Sequence, residues 1–269
     1  METGIATVGD NCIDRYLPPV DRQLVGGNAV NVAVNLRRLG HHASYFGAVG
    51  DDPDGARVRG VLARIGVDLT HLRIVPAGRT SLTVIAMGPD GDRHFVAEDF
   101  GVCRGYRPDA ADLTRLMTMR HVHIGWLDDG GATKHALAQA GIDVSQDLSV
   151  NAAPADISCD GLAVAFVSCD GGEAEAAHLA RTTLAQGARL AVILRGARGS
   201  LAMRGNDVFN GQALPVTVSD TTGAGDSFIA GFLAARLADR SIADCLANGH
   251  RQAARTCQIF GGFAQDDEL

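Results

Sequence analysis

The sequence predicts an α/β fold with a mostly parallel central sheet, and three observations favour it. Short apolar or β-branched runs alternate with stretches in which apolar residues recur three and four positions apart. The chain has 269 residues, enough for one large domain or two small ones. Neither an internal repeat nor a low-complexity linker divides it, so we expect a single domain over residues 1–269.

Five segments have the composition of buried strands, and four have the spacing of helices. The predicted strands are residues 5–8, 43–49, 121–124, 163–167 and 190–194. The predicted helices are marked by the apolar sets Val32/Leu36/Leu39, Val58/Leu62/Ile65, Leu179/Leu184 and Phe228/Phe232/Leu233. Leucine and alanine dominate the helical stretches, as helix propensity favours.

Residues 72–95 depart from this alternation and suit extended strands. Segments 81–86 and 92–96 flank the turn signal Gly88-Pro89-Asp90-Gly91, which predicts a hairpin. Together with residues 14–25, the segment 72–97 is expected to form a small β lid on the α/β body, as suits an enzyme that must exclude water. The alternative is a hairpin that only extends the main sheet.

Composition excludes several classes of function. The net charge of −7 argues against a nucleic acid or an acidic membrane surface as partner. No apolar run approaches the ~18 residues that span a bilayer, and the N-terminus shows no signal peptide. The six cysteines lack the paired spacing of a zinc site, which suits buried thiols in a reducing compartment. We therefore expect a cytoplasmic protein.

Residues 220–228, with the sequence DTTGAGDSF, lead directly into an apolar helix. Backbone amides at a helix start lack partners and the helix dipole adds positive charge, so residues 223–226 would hold a phosphoryl oxygen. A carboxylate there would repel the phosphate unless it accepts the proton of an attacking hydroxyl, and Asp226 is therefore a candidate base for phosphoryl transfer. Equally, Asp226 is acceptable as an ordinary acidic residue of a first helical turn.

Two further segments have the residue types of a sugar site. Residues 26–31, GGNAVN, open a predicted helix on which Asn28 and Asn31 share one face and could read sugar hydroxyls. The alternative makes Asn28 a helix cap and leaves Asn31 in solvent. Asp10 and Asp14 follow the first predicted strand, where open α/β sheets bind ligands, although aspartate also forms ordinary turns.

In this order and spacing, the three segments resemble the ribokinase/PfkB family of carbohydrate kinases. Residues 26–40 match the family's glycine-rich N-terminal signature, and residues 220–228 match its C-terminal signature. The resemblance continues through GAVGDDPDG at 47–55 and Gly66-Val67-Asp68, and spans almost the whole chain. Within the family the sequence is most similar to the fructoselysine 6-kinases, through GDNCID at 9–14, GGNAVNVAV at 26–34 and its short length.

The resemblance implies a ribokinase-like three-layer sandwich in which ATP, with Mg²⁺, phosphorylates a primary hydroxyl of a bound sugar. Asp226 would be the base, and the amides of Gly223, Ala224 and Gly225 would form the anion hole. The other positions that match family sites are sugar contacts at Asp14, Gly26, Gly27, Asn28 and Asn31, with Asp10 as a further candidate, nucleotide contacts at Gly196, Gly199 and Asn248, and a water-mediated Mg²⁺ contact at Glu175.

Two positions depart from the family pattern. Gly172 replaces the asparagine of the family's Asn-x-x-Glu motif, which leaves Glu173 and Glu175 to hold a hydrated cation. Arg195 stands where the family usually has an apolar residue, and a planar guanidinium there would meet phosphate as a nucleotide contact.

The expected function is that of an ATP-dependent kinase for a small sugar substrate, a ketose-like adduct such as fructoselysine, with a homodimer formed through the lid edge. One alternative is a ribokinase-like or fructokinase-like enzyme acting on an unmodified sugar. Another is a non-catalytic sugar or nucleotide sensor, which Gly172 motivates and Asp226 opposes. A dinucleotide-dependent oxidoreductase lacks the expected Gly-x-Gly-x-x-Gly after the first strand.

Overall fold

The computed structural model describes residues 4–88 and 93–265. In chain order its strands are β1 (Ile5–Val8), β2 (Cys12–Tyr16), β3 (Gln23–Gly26), β4 (Ala43–Gly50), β5 (Leu72–Val75), β6 (Leu82–Met87), β7 (Arg93–Asp99), β8 (His121–Ile124), β9 (Asp143–Asp147), β10 (Val164–Ser168), β11 (Ala191–Leu194), β12 (Ser200–Arg204) and β13 (Asp207–Gly211). The α-helices are α1 (Asn28–Arg38), α2 (Pro53–Ile65), α3 (Ala110–Leu116), α4 (Ala132–Gln139), α5 (Glu173–Ala185), α6 (Ala224–Leu237) and α7 (Ile242–Thr256).

The large sheet has the strand order β13-β12-β11-β10-β9-β8-β1-β4-β5. All its pairings from β11 to β5 are parallel, while β12 and β13 join as an antiparallel edge. All five predicted strands belong to this sheet, and the predicted α/β class with a mostly parallel sheet is confirmed. Because parallel strands end at the same edge, the loops after β1, β8, β9 and β11 lie along one side of the molecule.

Helices cover both faces of the large sheet and make three layers. Phe166 of β10 packs on one face with Phe228 and Phe232 of α6. Leu116 of α3 and Leu137 of α4 pack on the other face. The alternation of side chains along each strand sends successive residues to opposite faces, so short apolar strands are buried on both sides. The three-layer sandwich expected from the family resemblance is thus present.

A second sheet, in the order β3-β2-β6-β7, forms the lid. The antiparallel pairing of β6 with β7 is the predicted hairpin, and it belongs to this sheet rather than extending the large one. Residues 89–92, which hold most of the predicted turn signal, lie outside the described residues. One boundary differs, because β5, within the predicted lid segment 72–97, pairs with β4 at the edge of the large sheet.

Two histidines on β8 belong to the core. His121 Nε2 and His123 Nδ1 both contact Ser145 Oγ, at 2.7 and 3.0 Å. Burial lowers the pKa of each imidazole to about 3, so both are neutral near pH 7. Across residues 4–88 and 93–265, none of the helices combines the length and apolarity that a bilayer crossing requires.

Candidate active site

The site lies in the crevice beyond the carboxyl ends of β1, β8 and β9. Asp10 follows β1, Trp126 follows β8 and Asp147 ends β9. The chain leaves β1 through Gly9, which has a φ of 137° and whose added Cβ would lie 2.5 Å from the Trp126 carbonyl oxygen. Only glycine allows the two loops to approach this closely.

Asp226, in the first turn of α6, accepts hydrogen bonds from two carboxamides of α1. Asn28 Nδ2 donates to its Oδ1 and Asn31 Nδ2 donates to its Oδ2, both at 2.7 Å. The side-chain Oδ1 atoms of Asn28 and Asn31 are buried and have no hydrogen-bond partner within the described residues. Neither the interpretation of Asn31 as solvent-facing nor that of Asn28 as a cap agrees with this arrangement.

Burial raises the pKa of Asp226 from its ordinary 3.8 to about 8. The nearby charges of Asp147 and Asp10 raise the pKa further, while the hydrogen bond from Asn31 and the charge of Arg93 lower it. A carboxyl with a pKa near neutrality can accept a proton and release it again, as a general base must.

The carboxylate of Asp10 accepts hydrogen bonds from three backbone amides. Its Oδ2 accepts from the amide of Asn28 at 2.8 Å, and its Oδ1 accepts from those of Ala29 and Trp126 at 3.1 and 3.2 Å. The residue before α1, Gly27, has no side chain for a cap, so Asp10 satisfies the first amides of the helix from a neighbouring loop. In this structure Asp10 positions α1 and thereby the two asparagines.

Asp14 on β2 is only 4% exposed and accepts a weak hydrogen bond from Cys12 Sγ at 3.2 Å. Burial raises its pKa to about 7. Gly26 of β3 passes directly beside it, and a Cβ at Gly26 would overlap Asp14 Oδ2. A carboxyl held by a single weak donor retains capacity to bind a ligand hydroxyl.

The turn before α6 is fixed by Asp220 and by the backbone at Gly223. Asp220 accepts from the Tyr16 hydroxyl at 2.5 Å and from the amides of Thr222 and Gly261, both at 2.8 Å. Gly223 precedes the helix with a φ of 71°. The amide of Ala224 donates to the Thr221 carbonyl at 3.2 Å, so this predicted anion-hole donor is engaged within the turn.

The start of α6 faces the end of β11. The nearest side chain to an added Cβ at Gly225 is Leu194, 3.9 Å away. Arg195 comes next in the chain, and its Nε is buried without a hydrogen-bond partner in the part of the chain described. The following loop turns at Gly196 and Gly199, with φ values of 55° and 87°. A guanidine nitrogen buried without a partner fits an anion at this position.

Two predicted residues are not brought into this network. Asn248 Nδ2 donates to the Gly231 carbonyl at 2.6 Å, so Asn248 joins α7 to α6. Glu175 is exposed at the start of α5, and its carboxylate lies against Gly171. Within residues 4–88 and 93–265 there is no cluster of three or more His, Cys, Asp or Glu side chains suited to a metal ion.

Asp147 is a site residue that sequence reasoning missed. Its Oδ2 accepts from Asn28 Nδ2 at 2.8 Å and its Oδ1 from the Ser149 amide at 2.9 Å. A single carboxamide nitrogen therefore bridges Asp147 and Asp226. The signal was obscured because β9 carries the buried polar residues Ser145 and Gln146 and does not look like a strand.

Arg93, at the start of lid strand β7, is a second missed residue. Its Nη1 donates to the carbonyl and to the hydroxyl of Thr221, both at 3.1 Å. Its guanidinium also lies over the ring of Phe95, 5.1 Å from the centroid. The lid thus reaches the turn before α6, a long-range contact that local sequence patterns do not reveal.

Comparisons with known proteins return carbohydrate kinases. The model of the pfkB family carbohydrate kinases matches residues 7–108 and 151–266. The chain is 35% identical over 265 residues to fructoselysine 6-kinase of Shigella flexneri, covering 96% of this chain and 99% of that protein. It is 31% identical to fructosamine kinase FrlD of Bacillus subtilis (96% and 92% covered) and 31% identical to a fructokinase of Klebsiella pneumoniae (92% and 88%).

Solved structures show the same architecture. Arabidopsis thaliana ribokinase, complexed with ribose and ATP, matches with a TM-score of 0.82 at 22% identity, covering 97% of this chain and 94% of that one. The microbiome-derived acarbose kinase Mak1 matches with a TM-score of 0.83 at 23% identity, covering 98% and 96%. At these identities the likeness shows a shared fold.

Proposed function

The chain belongs to the pfkB family of carbohydrate kinases, and from that premise we propose that it uses ATP to phosphorylate the terminal primary hydroxyl of a ketose–amine adduct such as fructoselysine. The main support for this chemistry is the pair of hydrogen bonds that Asn28 and Asn31 donate to Asp226 at the N-terminus of α6. It places a carboxyl with a raised pKa beside backbone amides suited to phosphate.

In this mechanism Asp226 takes the proton of the sugar hydroxyl while that oxygen attacks the terminal phosphorus. The first-turn amides of Gly225 and Asp226 hold the phosphoryl oxygens, together with Gly223 and, once its turn contact opens, Ala224. The dipole of α6 favours the negative charge. Positioning and electrostatics supply most of the acceleration in such a transfer.

The acceptor site that we propose lies between β2, β3 and α1. Asp14 binds sugar hydroxyls through its carboxyl, which holds only one weak hydrogen bond. Asn28 and Asn31 accept hydrogen bonds from sugar hydroxyls at their unpartnered Oδ1 atoms. Gly26 and Gly27 let the backbone approach the ligand. Asp10 contributes to this site indirectly, because it accepts a hydrogen bond from the Asn28 amide and so fixes the position of α1.

The proposed nucleotide site lies on the side of the turn before α6 that faces the end of β11. Arg195 offers its buried Nε to phosphate, and the loop that follows it turns at Gly196 and Gly199. An open cavity of about 350 Å³ between β13 and α7 has space for the base. Asn248 follows the lining residue Ala247 on α7 and accepts a hydrogen bond from a second lining residue, Arg251. Glu175 is the residue that would hold a Mg²⁺ ion through water, and the ion would neutralise charge on the transferring group.

The choice of acceptor rests on relatives. Two fructoselysine 6-kinases, from Shigella flexneri and Escherichia coli, share 35% and 34% identity with this chain over nearly their full lengths. The second candidate, a fructokinase, is supported by the 31% identity to the Klebsiella protein. The proposal includes a homodimer through the lid, because Phe95 and Val96 on its outer strand are 52% and 58% exposed.

A panel of acceptors tests the proposal. With ATP and Mg²⁺, ADP release is measured with fructoselysine, fructose, ribose and no acceptor. We expect kcat/KM for fructoselysine to exceed that for fructose and ribose by at least about tenfold, since a site built for the adduct's polar groups discriminates against analogues that lack them. Equal kcat/KM values for the three acceptors would refute the adduct as the preferred substrate and leave the kinase activity in place. If no acceptor increased ADP release, both the kinase activity and its substrate would be refuted.

Replacing Asn28 with alanine tests the acceptor site. The variant loses the amide that bridges Asp147 and Asp226 as well as the unpartnered Oδ1. We expect the acceptor Kd, measured by calorimetry, to rise about 10-fold or more, because a buried sugar hydroxyl left without its acceptor costs about 1–3 kcal/mol. Asn206→Ala, in the exposed turn between β12 and β13, is the control. An unchanged Kd for the Asn28 variant would reassign Asn28 to a structural role.

A further inference from the structure

We propose that Arg93 is a further catalytic residue, whose guanidinium binds the phosphoryl group during its transfer. The proposal rests on the proposed phosphoryl transfer at Asp226. Arg93 belongs to the lid, yet its Nη1 reaches both the carbonyl and the hydroxyl of Thr221, within the turn that leads into α6. Thr221 lies five residues before Asp226, on the turn that also holds the anion-hole amides.

The electrostatics of this placement point to an anion between Arg93 and the helix. The N-terminus of α6 carries partial positive charge, so a guanidinium beside it is repelled unless negative charge compensates. Among the described residues, the carboxyls of Asp14 and Asp226 lie close enough for the charge of Arg93 to lower their pKa values. A transferring phosphoryl group supplies further negative charge where the helix dipole and the guanidinium converge.

The lid holds Arg93 in a defined position. Tyr16 on β2 donates to Asp220, and Arg93 on β7 donates to Thr221, so two strands of the same sheet contact consecutive residues of the turn. Phe95 supports the guanidinium from one side. A planar group fixed in this way can present paired N–H donors to phosphoryl oxygens without losing much side-chain entropy.

The step that Arg93 would serve is balanced. The sugar oxygen forms a bond to the γ-phosphorus, the bond from that phosphorus to the β,γ-bridging oxygen breaks, and its electron pair stays on ADP. The hydroxyl proton passes to Asp226. Negative charge on the transferring oxygens is then shared between the amides of α6 and Arg93.

The test compares Arg93→Gln, which loses the charge, with Arg93→Lys, which keeps it. We expect kcat for the best acceptor to fall about 10²- to 10³-fold in Arg93→Gln, the range seen when one donor to the developing charge is removed. Arg93→Lys should recover part of this loss. Arg79→Gln, at an arginine whose side chain is 77% exposed near the base of the lid, controls for loss of a positive charge and should stay within twofold of wild type.

A binding measurement separates phosphate recognition from support of the lid. Calorimetry with ADP and with the non-hydrolysable analogue AMP-PNP should show ADP affinity within twofold of wild type in Arg93→Gln, and AMP-PNP affinity about tenfold weaker. A kcat within threefold of wild type, or equal losses for both nucleotides, would overturn the proposal. If the wild-type protein phosphorylates no acceptor, the proposed function fails, while the comparison of the two nucleotides still decides whether Arg93 binds the γ-phosphate.

Discussion

Asp226→Asn is expected to lower kcat about 10²- to 10⁴-fold, the contribution of a positioned general base, while the Kd values for acceptor and nucleotide change little. Asparagine keeps the shape of the side chain and one oxygen for the α1 carboxamides, but it cannot take the hydroxyl proton. Steady-state kinetics with calorimetry on the same preparations measure both quantities. Asp207→Asn, at the exposed start of β13, is the matched control. Turnover near that of wild type would show that another group is the base.

The same substitution has an expected effect on stability. Burial raises the pKa of Asp226 from 3.8 in the unfolded chain to about 8 in the folded protein, so the folded state binds the extra proton between these values. The carboxyl therefore makes the folded protein progressively less stable as the pH rises through this window. Asparagine does not titrate, and the Tm of Asp226→Asn relative to wild type should increase from pH 5 to pH 8.5. A constant difference in Tm would contradict the raised pKa.

Gly223→Ala is expected to remove both activity and a large part of the stability. The residue has a φ of 71°, and an added Cβ would overlap the backbone Cα of Gly262. A left-handed backbone at a residue other than glycine costs about 1–3 kcal/mol before the overlap is counted. Because Asn31 Nδ2 is 3.3 Å from the same Cβ position, any shift of the turn also disturbs the grip on Asp226.

Thermal unfolding and kinetics measure these effects. We expect Tm to fall by about 4–10 °C in Gly223→Ala, given the usual relation between free energy and Tm for a chain of this size. Gly225→Ala, two residues on, is the control for stability, because its added Cβ meets only Leu194 at 3.9 Å and its φ is not positive. Similar Tm losses in both variants would refute the turn geometry described above.

The sequence predicts those parts of the fold that have a clear periodicity. Strand β1 and helix α1 bury apolar residues at regular spacing and were found from the pattern. Strand β9 was missed because its buried Ser145 and Gln146 are satisfied by partners distant in sequence, the β8 histidines and Lys134. Single-sequence patterns register hydropathy, and they do not reveal polar groups that are paired only after folding.

Some residues of the candidate site could likewise be predicted from local sequence, and others could not. Asp226, Asn28 and Asn31 lie in segments whose local sequence already indicates a helix start, and the structure joins them directly. Asp147 and Arg93 enter only because the sheet order and the lid bring distant segments together. Asn248, which the resemblance assigns to the nucleotide site, also makes a helix–helix contact, because α6 and α7 approach closely at Gly231 and its amide satisfies a backbone carbonyl there.

The two hydrogen bonds on Asp226 bear on how a kinase avoids consuming ATP without a substrate. Each of its oxygens accepts a hydrogen bond from a carboxamide, which fixes the direction in which the carboxyl can take a proton. Under the proposed function, an unoriented water molecule would be a poor substitute for the sugar hydroxyl, and little ATP would be hydrolysed without an acceptor. A bound sugar, with hydroxyls held by the unpartnered Oδ1 atoms of Asn28 and Asn31, would present its reacting hydroxyl in that direction. ATP consumption would then follow the supply of acceptor.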